Sequence, residues 1–179
     1  MGNHKKIRIK NETPKVIIIL GPPGAGKGSQ AYLLSERLNL YYLETSKLLE
    51  EKFSQIKGNE YVIVGGKKYY LKNEKRLWKK GFLCSPPFVS YLTKEKIKAL
   101  YKEGKGIILA GSPRTLYEGK EELPLLKKTY GLSNIRVILL EITPKETIFR
   151  NSHRKICELM RHSILYSKES EKLKTCPLD

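Results

Sequence analysis

Apolar residues fall in short unbroken blocks, separated by longer stretches with helical spacing. Val16-Ile17-Ile18-Ile19-Leu20, Tyr41-Tyr42-Leu43 and Ile107-Ile108-Leu109-Ala110 are such blocks. They are brief and rich in β-branched or aromatic residues, so strands are predicted at 16–20, 41–44, 107–110 and 136–142. Helices are predicted at 27–38, 45–53, 86–104, 118–129 and 144–161. Strands alternating with helices imply a parallel sheet with helices on both faces and right-handed crossovers. The segment 61–71 carries Gly65-Gly66 between two apolar and aromatic arms, which predicts a β-hairpin. No internal repeat or low-complexity segment interrupts this order.

The first predicted strand runs into Gly21-Pro22-Pro23-Gly24-Ala25-Gly26-Lys27-Gly28-Ser29-Gln30, and a helix follows. Strand, glycine-rich loop and helix form the setting of a phosphate-binding loop. Glycines let backbone N–H groups turn toward anionic oxygens, and the helix adds its positive dipole end. Lys27 supplies a cation for the outer phosphates, and Ser29 a hydroxyl for magnesium. A nucleoside triphosphate is the expected ligand. Gly28 separates Lys27 from Ser29, where the simplest form of the motif has Ser or Thr directly after Lys.

That inserted glycine resembles the loop of the adenylate kinase family of nucleoside monophosphate kinases. Other segments fit in order. Gly111-Ser112-Pro113-Arg114-Thr115 is similar to the family's Asp-Gly-Phe-Pro-Arg-Thr, and Gly81-Phe82-Leu83-Cys84-Ser85 to Gly-x-Leu-Val-Thr. Glu44-Thr45-Ser46-Lys47-Leu48-Leu49 stands in the place of Ser-Thr-Gly-Asp-Leu-Leu-Arg. Arg150-Asn151-Ser152-His153-Arg154 resembles the paired arginines at the lid hinge. The resemblance implies a P-loop α/β fold of three layers, α/β/α, with a parallel sheet, an inserted monophosphate-binding region and a partial lid. It implies ATP on Pro23, Gly24, Ala25, Gly26, Lys27, Gly28 and Ser29, with Arg150 and Arg154 closing over it. It implies a monophosphate near Thr45, Leu83, Cys84, Gly111, Arg114 and Glu118. Lys27, Arg114 and Arg154 are then the catalytic cations. Arg150 and Arg154, spaced i and i+4, are expected on one helical face.

The departures concern the acceptor half. Ala110 stands where the family has its magnesium-supporting aspartate, Lys47 replaces the second aspartate, and Glu50 replaces a monophosphate-binding arginine. Glu44 is the candidate substitute carboxylate, against the alternative of a solvated strand end. Glu118 replaces the glutamine that reads adenine. A carboxylate accepts two hydrogen bonds and suits the N1–H and amine edge of guanine, which leaves the base open. The alternative is a shifted segment with Glu118 facing water.

The formal net charge is +17, from 35 basic and 18 acidic residues. The lysines are scattered and no nucleic-acid motif accompanies them, so anionic nucleotides and a solvated surface account for the excess better than RNA or DNA binding. No apolar run has the ~18 residues that would span a bilayer, and no signal-peptide core follows Met1, so the cytoplasm is the expected location. A monomer is expected.

Cys157 and Cys176 with Asp179 partly match the zinc lid of some adenylate kinases, and His153 or His162 could complete the set. Met160, a poor zinc ligand, occupies the second ligand position, so a zinc site and a lid without metal both remain open. Cys84 reads as a packing residue. The expected organisation is a disordered basic tail at 1–14, a P-loop core at 15–44 and 96–148, a monophosphate-binding insert at 45–95, and an incomplete lid at 149–179. The chain stops inside that lid and is expected to be a fragment of a longer frame.

Overall fold

The structure, a computed structural model, describes residues 15–157, 163–164 and 172. It divides into two units: the chain to Leu20 with Gly28–Ile138, and Gly21–Lys27 with the chain from Leu139. The expected tail at 1–14 lies outside the described residues.

The first unit carries a four-stranded sheet. Its strands are β1 (Val16–Leu20), β2 (Tyr41–Glu44), β5 (Ile107–Ala110) and β6 (Ile135–Leu139), in the order β2-β5-β1-β6. β5 pairs in parallel with both neighbours: Ile17 stands beside Ile108, and Leu43 beside Leu109. Parallel strands covered on both faces read as unbroken apolar runs, and all four residues of β5 are buried.

Helix α4 (Pro86–Lys102) and helix α5 (Leu116–Tyr130) cover one face. Ile97, Leu100, Leu126 and Tyr130 join Val16, Ile18, Leu43, Ile107 and Leu109 in one core. Alternate positions Ile17, Ile19 and Ile108 are buried as well, so the opposite face is also covered. β6 lies at the sheet edge, and Val137 and Leu139 are exposed.

A second core joins α2 (Thr45–Ser54), α3 (Leu71–Lys79) and the start of α4. Phe53 lies between Trp78 and Phe88, with ring centroids 5.8 and 6.1 Å away. The hairpin forms as expected from β3 (Tyr61–Val64) and β4 (Lys67–Tyr70). Gly65 and Gly66 turn it with φ of 57° and 79°, the left-handed pair that a tight hairpin turn needs.

Three expectations need correction. The strand expected at 136–142 is β6, which ends at Leu139. The hairpin ends at Tyr70, and Leu71 opens α3, a helix the sequence reading left out. Glu74 is buried on the inner face of α3, which hides the apolar stripe of that helix. The helix expected at 144–161 is α6 (Pro144–Ser152), and it ends nine residues early. Ser152 Oγ donates to Phe149 O at 3.0 Å, and His153 Nδ1 lies 2.8 Å from the same carbonyl. The same carbonyl still accepts His153 N–H at 3.2 Å as the last helical bond, and Arg154 N–H turns to Asn151 O at 3.4 Å, so the ladder tightens and stops there. Strand β7 (Lys155–Ile156) follows and pairs antiparallel with β8 (Ser163–Ile164). Among the described residues, no helix is long and apolar enough to cross a membrane.

Candidate functional site

The loop Gly21–Lys27 belongs to the second unit and leads into α1 (Lys27–Leu38). Gly24 and Gly26 have φ of 81° and 84°, a region other residues adopt only under strain. Lys27 Nζ donates to Gly21 O and Pro22 O at 2.9 Å each, which fixes the ammonium at the loop. The first turn of α1 holds no acidic residue, so nothing there opposes an anion at its positive end.

Arg150 Nη1 donates to Gly24 O at 3.4 Å, and Nη2 pairs with Glu146 one turn back on α6. Arg150 is therefore held at the loop. Asn151, which the sequence reading overlooked, also lines it: its Oδ1 lies 3.3 Å from where a Gly24 Cβ would stand. Arg154 lies beyond the helix end and is exposed, so the shared helical face with Arg150 does not form.

In the first unit, the inserted Gly28 has a local reason. A Cβ there would stand 3.2 Å from the Tyr42 hydroxyl. A side chain at that position would push against the phenol.

Thr45 and Gly111 follow the C-terminal ends of β2 and β5, where open α/β sheets place ligands, and Arg114 joins them. Arg114 Nη2 lies 2.9 Å, and Thr45 Oγ1 3.7 Å, from the position of a Gly111 Cβ. Glycine keeps that space open. Arg114 is exposed, and no carboxylate side chain pairs with its guanidinium among the described residues. Thr45 Oγ1 is buried, with no hydrogen-bond partner among the described residues. A free guanidinium beside an unpartnered hydroxyl can take an anion such as phosphate.

Cys84 Sγ lies 3.6 Å from Glu74 O. Burial, then the Glu74 charge, push its thiol up to about 11, against the pull of Arg114. It packs as a neutral thiol rather than acting as a nucleophile. Leu83 is exposed.

Glu118 is buried, so the water-facing alternative falls. Its Oε2 accepts Arg114 N–H at 2.6 Å and lies 3.2 Å from Ser112 Oγ. Thr115 caps α5, accepting Glu118 N–H at 3.2 Å, in a variant of the capping box. Glu122, one turn on, is fully buried, with its two oxygens 2.7 and 2.9 Å from Ser112 Oγ. Burial pushes the Glu122 carboxyl up to about 7; the Ser112 bond opposes this and the Glu118 charge adds to it. Ser112 and Glu122 were overlooked in the sequence. The available signal was Ser112 in the place of the family's Phe, and acids at 118 and 122 in register with Leu126 and Tyr130.

Ala110 closes β5 with no carboxylate, but its register partner on β2 is Glu44. Glu44 is half-buried and accepts Ser46 Oγ at 2.7 Å, with Lys47 Nζ at 3.8 Å. Ser29 is exposed near the start of α1. A hydroxyl and a carboxylate are the hard oxygen donors that magnesium takes. Of the candidate zinc ligands, Cys157 is buried. Cys176, Asp179 and His162 lie outside the described residues, and no cluster of three metal-ligating side chains occurs among the described ones.

The family model described as AAA domain matches residues 20–158. The chain is 29% identical over 164 residues to an adenylate kinase of Petrotoga mobilis, covering 89% of this chain and 69% of the relative. It is 35% identical over 142 residues to an adenylate kinase of Chlamydia pneumoniae, covering 79% of this chain and 60% of the relative. An adenylate kinase of Archaeoglobus fulgidus is 35% identical over 141 residues, with coverages of 79% and 59%. The chain thus spans about three fifths to two thirds of the length of these relatives.

Proposed function

Because the chain belongs to the P-loop family described as AAA domain, and is similar to adenylate kinases, we propose that it is a nucleoside monophosphate kinase. It transfers the γ-phosphoryl group of ATP to a monophosphate, with AMP as the acceptor. The observation that carries this reading is the acceptor-side anion site: Arg114 and the Thr45 hydroxyl, both without a side-chain partner among the described residues, beside the bare Gly111 backbone. A P-loop alone would only bind nucleotide. A second anion site on the same chain supports a second phosphorylated substrate.

In this reading the ATP phosphates lie on Pro23, Gly24, Ala25, Gly26, Lys27, Gly28 and Ser29. Lys27 bridges the outer oxygens and Arg150 neutralises charge at the loop. Arg154 joins when the lid closes. Arg114 orients the acceptor phosphate, with Thr45, Leu83, Cys84 and Gly111 around it. Phosphoryl transfer needs little covalent help from protein; it needs in-line positioning and charge neutralisation. Ser29 and Glu44 would hold magnesium, which would supply positive charge to the phosphates.

The test is ADP formation from ATP and AMP, followed by phosphorus NMR, in the native chain and in Lys27→Ala. Activity in the first and none in the second supports the reading. Equal activity in both refutes it.

A second reading is nucleotide binding without transfer. Ala110 at the end of β5, and the exposed Lys47 and Glu50 on α2, favour it. ATP binding without ADP formation would select it.

A further inference from the structure

Ser112 has one hydroxyl proton and faces two carboxyl groups. Its Oγ lies 3.2 Å from Glu118 Oε2, and 2.7 and 2.9 Å from the Glu122 oxygens. The three side chains are 1%, 3% and 0% exposed, so water does not mediate. Glu118 Oε2 also accepts Arg114 N–H at 2.6 Å. If both carboxyls were ionised, the hydroxyl could satisfy one, and the other would face it oxygen to oxygen with no proton between. Two arrangements close the proton count, with the proton on either carboxyl. The complete burial of Glu122, and the Arg114 N–H that favours a charged Glu118, select Glu122. Glu122 is protonated and donates to Ser112 Oγ, Ser112 donates to Glu118, and the Glu118 carboxylate accepts Arg114 N–H.

We propose that Glu122 is a positioning residue that keeps the single proton of a Glu122–Ser112–Glu118 relay, and that this relay fixes the backbone of Arg114. Loss of the proton to water puts a second negative charge in the cluster. Ser112 must then serve Glu122 or Glu118, and the two anions repel. Glu118 is the member free to retreat, because it hangs on one backbone N–H. Arg114 retreats with it, and the anion site loosens.

The groups acting on Glu122 are Ser112 from the loop, Glu118 from its own helix, and Ser90 and Lys94 from α4. Lys94 is the opposing cation, and it is paired with Glu121. Burial and Glu118 favour the protonated form, and the titration falls near neutrality. The grip of Arg114 on an anion is therefore stronger below neutrality than above it.

This inference rests on Arg114 as the acceptor phosphate ligand, and its test separates the two. The whole chain is titrated from about pH 5 to about pH 9, following the Glu122 carboxyl carbon and the Arg114 amide by NMR. The expected result is a Glu122 midpoint near neutrality and an Arg114 amide that shifts with that midpoint. In Glu122→Gln, which mimics the protonated acid, the amide shift disappears. A Glu122 midpoint in the ordinary range of about 4.3, or an Arg114 amide blind to it, overturns the relay.

AMP affinity is then measured by calorimetry across the same range. AMP has its own phosphate titration, so the readout is the difference between the native chain and Glu122→Gln. A several-fold weakening with rising pH in the native chain alone supports the proposal, and parallel curves overturn it. If AMP binds at no pH, the acceptor reading fails, and the Arg114 amide decides the relay. Should Glu122→Gln not fold, Ser112→Ala cuts the same relay, and its Arg114 amide should no longer follow Glu122.

Discussion

Glu44 and Ala110 are register partners across the parallel pair β2 and β5. The carboxylate at this end of the sheet therefore stands one strand away from where the adenylate kinase pattern has it. In a parallel sheet, register partners end side by side, so a donor moved by one strand still faces the same edge.

If Glu44 supports magnesium, Glu44→Gln should raise the magnesium concentration for half-maximal ADP formation by about tenfold. Ala110→Asp in the same background should recover part of the loss. A magnesium titration of ADP formation checks both, and an unchanged midpoint in Glu44→Gln removes this role.

Lys27 is tied to Gly21 O and Pro22 O in the loop. Lys27→Ala removes the ammonium and leaves the helix intact, since Ala is the best helix former. Turnover should fall at least about a hundredfold, with unchanged circular dichroism. Steady-state kinetics beside the spectrum is the check.

Arg114→Ala should act on the acceptor. The expected loss is roughly a hundredfold in kcat/KM for AMP, with ATP affinity kept within about twofold. Arg114→Lys should recover little, because a point charge does not replace a planar fork. Equal losses for both substrates would argue for a structural effect.

The buried Glu122 makes stability depend on pH. Its carboxyl is raised from 4.5 to about 7 in the native state. Between those values the native chain keeps a proton that the unfolded chain has released. This contribution is full below about pH 4.5, falls as pH rises through about 7, and is flat above. The difference corresponds to on the order of 3 kcal/mol. Denaturant midpoints of the native chain should fall across this window relative to Glu122→Gln. Parallel curves would show that Glu122 titrates normally.

Much of the fold is legible in the sequence because its central strands, β1 and β5, are buried on both faces. Such strands show as unbroken apolar runs, and β1, β2 and β5 match the predicted bounds. The phosphate loop is legible because its chemistry is local: glycines, lysine and helix start follow one another. Helix α3 was not legible, since Glu74 breaks its apolar stripe. That residue is buried because Ser85 N–H and Oγ donate to its carboxylate at 2.8 and 2.7 Å, from a segment eleven residues away.

The sequence by itself determined the strand and helix order, the P-loop and the identity of Arg114 as a candidate phosphate ligand. Only the tertiary structure decided which polar groups meet. Parallel pairing set Glu44 beside Ala110, and the packing of α5 on α4 buried Glu122 against Ser112. The physical reason is that local propensity acts over one or two turns, whereas burial and charge act on whatever the packing brings together. A glutamate on a helix reads as solvated until its neighbours close off the water.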